Sequence, residues 1–126
     1  MQEFRSAIER RDLDAVVALL ARDVVFRSPI VYAPYHGREQ VRALLSAVAR
    51  VFEDFSYSRQ IGGGDGADHA YVFRARVGDR EVEGCDFVHT NDEGRIDELY
   101  VMVRPLSGAV ALAEAMKREL ALSDPV

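Results

Sequence analysis

The sequence predicts an α+β domain in which helices cover one face of a mostly antiparallel sheet. Three observations carry this expectation. Apolar residues recur at helical spacing through the first part of the chain, switch to a period of two after Phe52, and return to helical spacing after Pro105. A length of 126 residues suits a single domain. We expect residues 1–126 to form that domain, with its core at 2–104 and an extra C-terminal helix over about 107–122.

Each element has a local cause. Phe4, Ala7 and Ile8 share a face in a first short helix, and Asp12 can cap a second that carries Leu13, Val16, Val17 and Leu20. Asp23 interrupts that pattern. Val24, Phe26 and Ser28 then alternate with Val25 and Arg27 as a strand ending at Pro29. Residues 30–36 hold Pro34 and two tyrosines and read as an ordered loop. Gly37 opens a long helix whose stripe is Val41, Leu44, Leu45, Val48, Val51 and Phe52. Four strands follow, at Phe55–Ile61, Asp68–Val77, Arg80–Thr90 and Arg95–Arg104. A glycine-rich segment, a Gly78-Asp79 turn and an Asn91–Gly94 turn connect them.

Composition excludes several classes. The formal charge of −5 gives no basic footprint for nucleic acid or anionic lipid, and no apolar run is long enough to span a membrane. Cys85 is the single cysteine, so neither an internal disulfide nor a thiolate zinc site can form. Met1 to Arg5 does not begin a secretion signal, and a cytoplasmic location is expected. Residues 62–67 satisfy G-x-G-x-x-A, but a strand rather than a helix follows, so the dinucleotide reading fails. His36, His69 and His89 lack neighbours at metal-ligand spacing. No cofactor and no metal are expected.

Strand faces locate the candidate chemistry. Tyr71, Phe73, Ala75 and Val77 share one face of their strand, and Val82, Gly84, Asp86 and Val88 share one face of the next. On the last strand, Leu99, Val101 and Val103 face one way, while Ile96, Tyr100 and Met102 make the other face apolar as well. A second greasy face implies a second cover, most simply another copy of the chain.

The segments Asp12-Leu13-Asp14, Val24-Val25-Phe26-Arg27-Ser28-Pro29, Tyr35-His36-Gly37-Arg38-Glu39, Gly84-Cys85-Asp86-Phe87 and Gly94-Arg95-Ile96 together resemble the nuclear transport factor 2-like superfamily. The chain is most similar there to SnoaL-like proteins, which include polyketide cyclases, and it also resembles ketosteroid isomerases. The resemblance implies a cystatin-like cone: a curved sheet, helices over its concave face, a pocket inside and a dimer through the outer face. Ketosteroid isomerases use a carboxylate base, a tyrosine and a second carboxylic acid kept protonated by apolar surroundings. Here the tyrosine position falls on Phe4 and the base position on Ser28. Only the protonated acid matches, at Asp86, so steroid isomerisation by that mechanism is not expected.

Asp86 is therefore the leading catalytic candidate, since a carboxyl in apolar surroundings favours its neutral form and can donate. The competing reading is a structural hydrogen bond to a tyrosine or arginine. His36 is the second candidate, able to move a proton near neutral pH, with Asp86 as the group that could orient it. Phe26, Ser28, Tyr32, Tyr35, Phe52, Tyr71, Phe73, Leu99 and Val101 are the expected pocket residues, and a small apolar molecule is the expected ligand. The expected function is isomerase- or cyclase-type proton transfer on an apolar cyclic carbonyl compound. A non-catalytic binding or carrier module and a protein-interaction domain are the alternatives.

Overall fold

A computed structural model describes residues 2–64 and 66–123 of the chain. Helices α1 (Gln2–Glu9) and α2 (Leu13–Ala18) open it, and the Asp12 carboxylate caps α2 by accepting the Ala15 N–H at 3.0 Å. Strand β1 (Leu20–Arg27) leads through a loop to a two-residue strand β2 (Tyr35–His36) and the long helix α3 (Arg38–Val51). Strands β3 (Glu53–Ile61), β4 (Asp68–Val77), β5 (Arg80–Thr90) and β6 (Ile96–Arg104) form the meander, and α4 (Leu106–Ser123) closes the chain.

The six strands lie in the order β2-β1-β6-β5-β4-β3. Only β1 and β6 pair in parallel; every other pair is antiparallel. The residues expected to share the inner face do so: Tyr71, Phe73, Ala75, Val77, Val82 and Val88 are buried with the apolar stripe of α3. Helix α4 also lies on this face, packed against α3, β4, β5 and β6. A side chain at Gly108 would collide with Val82, so this glycine lets α4 approach β5 closely.

Two expectations are corrected. Leu20 belongs to β1 rather than α2. The strand runs straight through Asp23, and a register shift between Leu20 and Val25 absorbs the break in alternation. Ile96 is not on the outer face. Glu98 pairs with His89 but Ile96 pairs with Thr90, so Asp97 is an extra residue and reverses the side-chain parity below it. Ile96 consequently has 0% exposure, whereas Met102, beyond the irregularity, has 51%.

Candidate functional site: an apolar hollow with one acid

Between the inner sheet face and the helices lies a cavity of about 220 Å³. Phe4, Val16, Leu44, Val48, Phe52 and Leu112 are among its apolar walls, and Phe26, Phe73, Leu99 and Val101 form the sheet side. The extra helix contributes directly, through Leu112 and Met116. Five lining residues are polar: Glu9, Arg11, Asp12, Ser28 and Asp86. Three of these sit where α1 meets α2 and are engaged there. Glu9 pairs with Arg5 at 3.5 Å, the Arg11 guanidinium donates to the Ala49 carbonyl at 2.5 Å, and Asp12 caps α2.

Asp86 reaches the cavity from the middle of β5. Strand alternation puts it inward with Val82, Gly84 and Val88, as the period of two requires. The Tyr57 hydroxyl, from β3, donates to its Oδ2 at 2.9 Å. Tyr57 can reach across β4 because Phe73 leans over Gly84, where any side chain would strike the Phe73 ring. The Tyr57 ring is itself fixed by an edge contact with Phe55 at 5.0 Å and by the Arg5 guanidinium 5.7 Å above it.

Burial dominates the electrostatics of this pair. Removal from water pushes the Asp86 carboxyl from 3.8 up to about 7, against the Tyr57 hydrogen bond, which favours the charged form. Burial and the Asp86 charge together drive the Tyr57 phenol well above its usual range, so it remains a donor. Near neutral pH the hollow therefore holds a carboxyl that is part acid and part carboxylate, its second oxygen accepting from a tyrosine. Such a group can donate a proton or a strong hydrogen bond to an oxygen on a bound molecule.

Phe26, Ser28, Phe52, Phe73, Leu99 and Val101 line the cavity as expected from the sequence. Three other expected pocket residues do not. Tyr71 is fully buried but stacks behind the wall, 5.7 Å from Phe4 and 5.6 Å from Tyr57. Tyr35 is half-buried on β2 and packs on the core rather than on the hollow. Tyr32 is 100% exposed, because the loop after β1 turns outward at Ser28-Pro29. The second catalytic candidate is displaced as well. His36 pairs with Val25 at the sheet edge, is exposed, and donates its backbone N–H to Gln40, so it does not meet Asp86. Tyr57 is not among the expected pocket residues, yet it meets Asp86. Its ring is core; its hydroxyl is not.

Other groups add no second centre. The Cys85 thiol faces away from Asp86, and burial pushes its pKa up. His89 meets Asp97 at 2.5 Å, which raises the imidazole pKa. Among the described residues no cluster of His, Cys, Asp or Glu could hold a metal ion, and no helix is long and apolar enough to cross a membrane.

A family model, the SnoaL-like domain, matches residues 1–99. A solved structure described as a steroid delta-isomerase from Pseudomonas aeruginosa is 47% identical, covering 97% of this chain and 89% of its own, with a TM-score of 0.91. An uncharacterised bacterial protein with a cystatin-like fold, from Silicibacter pomeroyi, is 33% identical over 95% of this chain and 84% of its own, with a TM-score of 0.89. The epoxide hydrolase/cyclase-like enzyme SalBIII, linked to pyran ring formation in salinomycin, shares the fold at 19% identity, over 85% of this chain and 88% of its own, with a TM-score of 0.68. No curated protein matches the sequence. The α+β cone, its inward-facing acid and these likenesses agree: the chain belongs to the SnoaL-like domain family, on the nuclear transport factor 2-like fold that ketosteroid isomerases and polyketide cyclases share.

Proposed function

We propose that this protein binds a small apolar cyclic carbonyl compound in the hollow and promotes proton transfer next to its carbonyl, with Asp86 as acid. The observation that carries the reading is the Asp86 carboxyl, bonded to a buried tyrosine, on the sheet side of a cavity whose walls are mostly apolar. Hydrogen bonding or proton donation from Asp86 to the carbonyl oxygen stabilises the enol that forms when an α-carbon proton passes to solvent water. The name of the 47%-identical neighbour, a steroid delta-isomerase, supports the same class of chemistry. Exchange of the α-protons of 2-tetralone in deuterated water, followed by NMR, tests it without knowledge of the natural substrate. The protein is expected to accelerate exchange over buffer, and Asp86→Asn to remove most of the acceleration, roughly 100-fold on the scale of general acid catalysis. Equal rates with and without protein would refute catalysis of this kind.

One observation favours a binding module as the second reading. Apart from Asp86, the carboxylates and the hydroxyl that line the hollow among the described residues are already engaged: Glu9 pairs with Arg5, Asp12 caps α2, and Ser28 Oγ accepts two backbone N–H groups. Under that reading 2-tetralone binds, Asp86→Asn weakens it, and exchange stays at the buffer rate.

The chain is also proposed to pair with a second copy through its outer sheet face. Phe87, Tyr100 and Met102 are exposed there, with Phe87 and Tyr100 in edge contact. Ion pairs of both signs surround them, Arg27 with Glu98 and Arg104 with Glu83, so a two-fold related copy offers each charge its opposite.

A further inference from the structure

We infer that Ser28 is a second ligand-binding donor, and that the molecule held in this hollow carries two oxygen acceptors, one for Asp86 and one for Ser28. The inference rests on the reading of Asp86 given above and extends it to the ligand's second end.

A serine hydroxyl has two lone pairs and one proton. Ser28 Oγ accepts the Ile30 N–H at 2.9 Å and the Val31 N–H at 3.3 Å, which occupies its accepting capacity. Its own proton meets no acceptor among the described residues, and the residue lines the cavity. Two incoming donors also polarise the O–H bond and strengthen it as a donor. The hydroxyl can therefore give a hydrogen bond into the hollow but cannot take one.

Sheet register sets where it stands. Phe26 pairs with Leu99 and Arg27 with Tyr100, so Ser28 follows beside Val101, and Val101 pairs with Asp86. Ser28, the residue immediately after β1, therefore follows at the end of the inward row that Val101 of β6 and Asp86 of β5 form. Neighbouring strands lie about 4.8 Å apart, which puts the Ser28 and Asp86 backbones about 10 Å apart with an apolar valine between them. Asp86, when protonated, is likewise a donor. Two donors flanking an apolar centre match a flat apolar molecule bearing a carbonyl at one end and a second carbonyl, ester or ether oxygen at the other. A ligand with a hydroxyl at the Ser28 end would have to rotate its proton away and accept.

The test compares 2-tetralone with 6-methoxy-2-tetralone, whose ether oxygen lies at the far end of the fused rings, by calorimetric titration. Wild-type protein is expected to bind the methoxy compound roughly 5- to 10-fold more tightly, the ratio that one net hydrogen bond supplies. Ser28→Ala brings this ratio close to one, and Ser28→Thr, which keeps the hydroxyl, restores it. Because each ratio is taken within one variant, a general loosening of the loop does not produce the effect. A ratio near one in wild type, or a ratio that Ser28→Ala leaves unchanged, overturns the inference. If instead Asp86→Ala, which has no donor, binds 2-tetralone as well as wild type does while the Ser28-dependent ratio persists, the reading of Asp86 fails and that of Ser28 stands.

Discussion

Asp86 and Tyr57 act on each other in opposite senses, and their variants separate the two. Burial raises the Asp86 pKa, so the folded state holds this proton more tightly than the unfolded chain does. The contribution to stability is full below the ordinary value of 3.8, falls as pH rises towards about 7, and is flat above that. Wild type should thus lose stability relative to Asp86→Asn across this window, by at most about 1.4 kcal/mol per pH unit, as urea unfolding at pH 4, 6 and 8 would measure. Tyr57→Phe removes the hydrogen bond that favours the carboxylate. The pKa of Asp86 should then rise further, and any Asp86-dependent exchange should persist to higher pH than in wild type. A fall of that alkaline limit would contradict the assignment. Asp86 was legible in the sequence because a strict period of two fixes a strand's inward residues. Tyr57 was not, because its hydroxyl reaches its partner across an intervening strand, a distance that no local pattern encodes. His36 and Tyr32 were not legible either, because no periodic pattern over residues 30–36 fixes which way their side chains face.

Among the elements, the long ones were legible and the irregular ones were not. The apolar stripe of α3 and the alternation in β4 and β5 each specify one face over many residues, and the structure keeps them. Beta-strand β6 shows the limit. One additional residue at Asp97 reverses Ile96 relative to Tyr100 and Met102, and only the partner strand reveals it. A pair of truncations measures the consequence. Ile96→Ala should cost about 2–5 kcal/mol, as for a fully buried aliphatic side chain, and Met102→Ala well under half of that in the dilute monomer. Equal costs would place Ile96 back on the outer face. Helix α4 was legible as a helix, but not as a wall of the cavity. Its Leu112 and Met116 complete the hollow only because Gly108 lets it settle against Val82.

At the scale of the whole molecule, the two faces of the sheet differ. The inner face, against which the helices pack, borders the cavity; the outer face exposes Phe87, Tyr100 and Met102. Self-association there predicts a dimer in sedimentation equilibrium, dissociated by Tyr100→Glu combined with Met102→Glu with little change in the 2-tetralone affinity of the inner hollow. A wild-type monomer at high micromolar concentration would contradict it. The fold class could be read from the switch in periodicity alone, since it rests on the sum of many weak preferences. The contents of the cavity could not, since a hollow is defined by what side chains from distant segments fail to fill.

The proposed chemistry depends on a carboxyl group whose ionisation burial shifts from the acid range to near neutral pH. Carbon-13 NMR of the Asp86 side chain, followed through pH 3 to 9, measures that directly. A midpoint near 7, against the ordinary 3.8, is the predicted result. A midpoint in the ordinary carboxylate range would mean that water reaches the group freely, and the proposed acid would be an anion throughout the working range.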